Sequence, residues 1–280
     1  MKSTLGTTRT LGVAAILGLG LTAQVSAAPL FTIDPSAVAG TTIAPYTADQ
    51  INTQSSTLVN FDFSNETATG AGYLKFTGMA GSVSDGASPN LSNGATGLDV
   101  DYQVWIEFTY DLVKQPTSTF ANFDSSYFVT SLDFTLYGDA GFGTTFTQAT
   151  AGGAGTAPSV TPAGTATVLG SGSLINIPGL QNVVQGNDGS GAAFNTSTAF
   201  GLTTAGENFF VAPNPFYDAA FESITNDAGG FTMTEDDNGA VIQGAGTATF
   251  IASVPEPTTL ALLGFGLLGF GAASTRRRQI

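Results

Sequence analysis

Apolar and polar side chains alternate with a period of two through the middle of the chain, most clearly over residues 99–112. Val100, Tyr102, Val104, Ile106, Phe108, Tyr110 and Leu112 take every even position. Asp99, Asp101, Gln103, Glu107, Thr109 and Asp111 take odd ones, with Trp105 as the exception. Only extended backbone sends successive side chains to opposite faces, so the run predicts a half-buried strand. Such a run would reach ~46 Å at ~3.3 Å per residue, which predicts a bend or bulge along it. Residues 58–64 alternate in the same way, with Val59, Phe61 and Phe63 on one face. Residues 128–137 do so with Leu132, Phe134 and Leu136 inward, and 70–78 predict a further strand around Tyr73 and Phe76. Asn238-Gly239 predicts a hairpin turn between 231–235 and 240–243, and 247–251 predict a closing strand. Gly, Ala, Thr and Ser dominate 138–191, where long surface loops with short strands near 165–169 and 174–177 are expected. Short strands separated by many Gly turns predict an all-β single domain, a β-sandwich or a jelly roll.

Composition narrows the chemistry. The chain has 280 residues, 42% of them hydrophobic, so a sizeable core is available. It has no cysteine and no histidine, which excludes thiol nucleophiles, His-based triads and the usual zinc sites. Charged residues are only 10%, against ~25% in an average globular protein. Bases are concentrated at the ends: Lys2 and Arg9 near the start, Arg276, Arg277 and Arg278 near the finish. Between them stand only Lys75 and Lys114 against twenty acids, a net charge of about −18. Such a surface repels nucleic acid and anionic lipid.

The two ends predict export. Lys2 and Arg9 flank the start of an apolar run over 11–21, and Val25-Ser26-Ala27 supplies small residues for cleavage. Residues 1–27 therefore read as a secretory signal peptide, cut between Ala27 and Ala28. Residues 28–253 form the secreted β-rich body. In 254–280, Pro255-Glu256-Pro257 precedes an uncharged apolar run over 260–273 and then the three arginines. A helix over 258–275 would span ~27 Å, close to the ~30 Å hydrocarbon core, so a transmembrane helix is predicted there. The arginines act as a stop-transfer signal and keep the body outside.

Pro255, Glu256, Pro257, the Gly/Leu-rich span and Arg276–Arg278 resemble the PEP-CTERM sorting signal of exopolysaccharide-producing Gram-negative bacteria. The resemblance implies a partner, the membrane transpeptidase exosortase, which reads the segment and cuts near the triplet. It implies passage across the inner membrane, transient anchoring by the C-terminal helix, and then a place at the cell surface or in the matrix. The body is similar to the flocculation-associated PEP-CTERM proteins. The matching stretches are Phe31-Thr32-Ile33-Asp34-Pro35, Tyr46-Thr47-Ala48-Asp49, residues 59–63, 102–110 and 134–138, and the aromatic block from Asn208-Phe209-Phe210 to Pro213-Asn214-Pro215-Phe216-Tyr217. This second resemblance implies a non-enzymatic protein that promotes cell aggregation within exopolysaccharide, with no catalytic residues to carry over.

Candidate chemistry in the body is sparse. Asp99 and Asp101, with Glu107 and Asp111 beyond them, share a strand face and offer oxygen ligands for calcium, although a solvated face explains them better. Asp236 and Asp237 lie in Glu235-Asp236-Asp237-Asn238-Gly239, which lacks the ligand spacing of an EF-hand and reads better as a turn. No cofactor is expected, and calcium is the one ion these groups suit. Trp105 either stacks on a sugar ring or belongs to a strand buried on both faces. No carboxylate pair stands out for glycoside hydrolysis. A carbohydrate-binding module is the alternative reading, and a matrix-remodelling glycosidase the remaining class.

Overall fold

A computed structural model describes residues 29–40, 42–81, 90–114, 126–150, 155–175, 183–187, 191–225, 231–233 and 239–251. The chain opens with β1 (Phe31–Ile33), α1 (Ser36–Ala39) and β2 (Tyr46–Ala48). Four longer strands come next: β3 (Gln50–Asp62), β4 (Thr67–Ala80), then, after β5 (Asn90–Leu91) and α2 (Asn93–Thr96), β6 (Tyr102–Lys114) and β7 (Ser126–Ala140). β8 (Thr145–Thr147), β9 (Ser159–Thr161) and β10 (Thr167–Ser173) lead to β11 (Val183–Asn187), β12 (Gly191–Ala199) and β13 (Gly201–Leu202). α3 (Thr204–Phe209), β14 (Phe210–Ala212), β15 (Ala219–Thr225), β16 (Phe231–Met233) and β17 (Gly239–Ile251) complete the order.

The fold is all-β and sandwich-like. The main sheet runs β11-β12-β15-β17-β3-β4-β6-β7, and β11 then pairs with β7, so the sheet closes on itself. Every pairing around this ring is antiparallel, and the strands follow one another in chain order until β17 returns to β3. The connections are therefore those of a meander, not the crossovers of a jelly roll. Closure leaves the long strands without free edges, the usual route to unwanted pairing. The interior is filled by Leu74, Phe76, Phe108, Leu136, Phe200 and Phe210 among others. An apolar void of about 40 Å³ lies among Phe76, Phe108, Leu136, Phe200 and Phe210, small enough that the interior here is packed side chain and not a pore.

The alternating run becomes β6, with the predicted irregularity between Asp111 and Leu112. Val100 and Gln103 differ from expectation, Gln103 being buried at 2% exposure although it stands among the polar positions, and Trp105 takes the buried one of its two readings. Val100 is 53% exposed, because the backbone turns back on Gly97 before the strand begins. Trp105 is fully buried, stacked on Tyr137 at 5.5 Å between centroids and edge-on to Phe146 at 6.0 Å. Its Nε1 donates to Glu107 at 3.0 Å. Phe63 is likewise not inward: it is 41% exposed in the turn beyond β3. That turn is built by Asp62, whose Oδ1 accepts from the backbone N–H of Ser64 and Asn65 at 3.1 Å each. Bonds from the Ser64 and Asn65 side chains, joined by these backbone ones, hold the Asp62 carboxyl below its ordinary pKa.

Trp105 is buried because the Gly/Thr-rich stretch does not form loops standing in solvent. It folds back over the outer face of β3, β4 and β6. Ala149 meets Leu58 and Val241 in a small second core, and its N–H donates to Ser56 Oγ at 2.9 Å. Phe146 lies 5.3 Å from Tyr73. Buried Asp139 anchors both ends of the flap, with Oδ2 accepting from Thr144 Oγ1 at 2.8 Å, Ala163 N at 2.9 Å and Gly164 N at 3.2 Å. The strand expected near 165–169 is β10, shifted toward the C-terminus. Of the one expected near 174–177, Leu174 forms a bridge with Thr198, and Asn176 and Ile177 lie outside the described residues.

β16 does pair with β17, but Met233 sits opposite Ala240, a register in which Asn238-Gly239 is not the central pair of the hairpin. Gly239 already belongs to β17 and pairs with Asn60. The two strands expected over 240–243 and 247–251 are one, because β3 and β15 on either side hold the Gly-containing middle of β17 extended.

Ile106 lines the interior void, whereas Thr109 is exposed. Ile106→Asp is expected to lower stability by ~3 kcal/mol through an unpaired charge in the core, and Thr109→Asp to stay within ~0.5 kcal/mol. Equal melting temperatures for the two variants contradict this assignment of faces.

Candidate functional site

Because the ring strands run alternately up and down, each connection belongs to one pole or the other. β3 begins, β4 ends, β6 begins, β7 ends, β12 ends, β15 begins and β17 ends at the same pole. All three helices among the described residues are in connections at this pole, as is the separate sheet β14-β1-β2. The result is a cap. Its core is aromatic: Phe31 meets Phe250 at 5.0 Å, Phe209 meets Phe210 at 4.9 Å, and Phe216 meets Phe250 at 4.8 Å, all edge-on. The aromatic block over 208–217 is thus the partner of the first strand, and Asp34 N–H donates to the Phe209 carbonyl at 2.8 Å. Tyr217 donates its hydroxyl to the Leu30 carbonyl at 2.8 Å while its ring stacks on Phe250 at 5.9 Å. Tyr46 and Tyr102 share a hydrogen bond of 2.9 Å between hydroxyls. Burial pushes Tyr46 up to about 12 and raises Tyr102 further, so both stay neutral.

A groove of about 320 Å³ opens on the cap, with Phe210 and Phe216 forming apolar wall and Glu207, Asn214 and Asp218 supplying polar groups. A shallower one beside it carries Asp34 and Ser36 and shares Glu207 and Val211. Asp101, Glu207 and Asp218 are exposed. Lys75 and Lys114, the bases among the described residues, are both ion-paired: Lys75 with Asp99 at 2.9 Å and Lys114 with Glu66 at 3.0 Å. The cap therefore presents a negative surface.

The candidate ligand residues are not brought together. Asp99 takes a left-handed backbone conformation, φ 56°, and its carboxylate is held by Lys75 and by Gln103 Nε2 at 3.0 Å. Asp101 is exposed on the turn that follows Gly97. Glu107 is engaged by Trp105, and Asp111 by Ser131 Oγ at 2.6 Å. No group of three or more acids able to hold a metal ion exists among the described residues. Trp105 stands under the flap and offers no ring face to a sugar. Asp236 and Asp237 lie outside the described residues. So do Ala27 and Ala28, the signal peptide, Pro255–Pro257, the apolar span and Arg276–Arg278. No helix among the described residues is long and apolar enough to cross a membrane.

β17 reaches Ile251 on this same cap, where the preceding Phe250 packs on Phe31. Residues 253–278 match the family model of the PEP-CTERM protein-sorting motif. The motif marks a protein exported and sorted by an exosortase, anchored transiently and then attached at the surface. No curated protein and no solved structure gives a significant match to the chain.

Proposed function

We propose that the sorted body is a non-enzymatic surface or matrix protein that promotes cell aggregation within exopolysaccharide in a Gram-negative bacterium. The observation that carries the reading is the PEP-CTERM motif over 253–278, joined to a closed, flap-covered body whose two bases are ion-paired. Bodies of charge near −18 repel one another and any acidic polysaccharide; at ~0.1 M salt that repulsion is screened beyond ~10 Å but persists at contact. Divalent calcium, which takes carboxylate oxygens from more than one chain, is the bridging ion we assign to it. Deleting the gene is expected to slow settling of cells that still make exopolysaccharide. Purified body is expected to associate in millimolar calcium and to disperse on chelation, with sodium unable to substitute. Settling unchanged by deletion overturns the role. Scattering that is the same in calcium and in chelator overturns the bridging.

The cap groove favours a second reading, a carbohydrate-binding module. Its volume and its mix of aromatic wall and carboxylates suit a neutral sugar. Saturable binding of soluble neutral oligosaccharide, lost on Glu207→Ala with Asp218→Ala, separates this reading from aggregation without sugar recognition.

A further inference from the structure

Only three residues separate the last strand residue, Ile251, from Pro255. Fully extended, the path from Ile251 to Pro255 covers ~13 Å at ~3.3 Å per residue. Ile251 is no loose end. It pairs with Ala219 of β15, and the preceding Phe250 is 6% exposed in the aromatic core of the cap. Pulling the segment out to lengthen the tether would take Phe250 away from Phe31, Phe216 and Tyr217. An enzyme that grips Pro255-Glu256-Pro257 must enclose backbone on both sides of the cut. On the body side it meets the cap within those three residues.

We propose that the cap is the docking face for the membrane-embedded sorting enzyme, with the opposite pole pointing away from the membrane. This rests on the sorting reading of 253–278. The start of the body obeys the same geometry: Leu30 is tied to the cap through Tyr217, so the leader predicted over 1–27 departs from the same pole. The orientation has a charge consequence. Asp34, Glu207 and Asp218 stand on the cap's grooves, and the nearest described base, Lys75, is neutralised by Asp99. An anionic lipid surface repels such a face, so the contact is assigned to the enzyme and not to the bilayer. The turn that carries Asn65 is at the far pole, roughly 40 Å away along β3 at ~3.3 Å per residue.

The chain has no cysteine, so a single introduced thiol is labelled uniquely. Asn214 on the cap and Asn65 at the far pole are both exposed. Full-length Asn214→Cys and Asn65→Cys, each carrying a bulky polyethylene-glycol maleimide, are mixed with membranes containing the exosortase, and the rate of cleavage is followed. The Asn65→Cys adduct is expected to be processed as fast as unlabelled chain and the Asn214→Cys adduct several-fold more slowly. A flexible Gly/Ser linker inserted between Ser253 and Val254 is expected to restore the rate of the Asn214→Cys adduct. Equal rates for the two adducts overturn the docking face. A slow Asn214→Cys adduct that the linker does not rescue also overturns it, because the defect is then in the body and not in access. If unlabelled chain is not cut at all, the sorting reading itself has failed.

Discussion

Replacing Pro255, Glu256 and Pro257 together by alanine is expected to leave the chain full-length and in the membrane fraction. Proline fixes its own φ, lacks an N–H and biases the preceding residue toward extended backbone, so the sequence of the triplet disfavours helix. Alanine is the best helix former, and three in a row let a helix over 258–275 extend back toward the body. The substitution removes both the extended shape and the single charge that the enzyme reads there. Fractionation with intact-mass measurement checks it, and release of a shortened body at the normal rate contradicts it. The body itself should be untouched, because the triplet lies outside β17 and the other described strands. Its melting temperature should match that of the unaltered protein.

Gly172→Val is expected to destabilise the body by at least ~3 kcal/mol, much of the stability of a typical domain. Gly172 lies in β10 where this strand passes between β7 and the end of β12. A Cβ there would overlap the backbone carbonyl oxygen of Ala199 and the ring of Phe134. A carbonyl inside a paired strand cannot rotate away as a flexible side chain can, so the strands must separate. Separation would break Leu174 from Thr198 and the bond from Ile175 N–H to the Ser197 carbonyl at 2.9 Å, which seal the ring. Gly94→Ala makes the control: no atom lies within 4 Å of the added Cβ, and the site is in a helix. It should leave stability unchanged or slightly higher. Chemical denaturation of the two variants decides the matter, and equal midpoints contradict the closure described here.

The period-two pattern by itself determined that this protein is all-β and which residues of β6 and β7 face the core. Phe108, Tyr110 and Leu112 are buried as the alternation requires, because a strand has only two faces and a one-residue slip would exchange them. The sorting segment was equally legible, since its recognition depends on local chain chemistry: two prolines, an apolar run and a charge cluster in order. Three things were decided only by tertiary structure. The Gly/Thr-rich stretch reads as long surface loops with short strands, yet its low bulk lets Gly172 pass against β12 and lets the flap lie on Leu58, Trp105 and Val241. The exceptional Trp105 is buried for the same reason, through contacts made by residues some forty positions away. The acids of 99–111 shared a face on paper, and the bond from Trp105 to Glu107 follows from their i, i+2 spacing, but Asp99 is claimed by Lys75 of the neighbouring strand, a partner that no spacing along β6 signals. Nor does anything near Phe31 announce Phe210 and Phe250 as its neighbours. That cap exists because a ring of antiparallel strands in chain order delivers both ends of the body to one pole. Ring closure is a property of pairing between the first and last long strands, and no local pattern contains it.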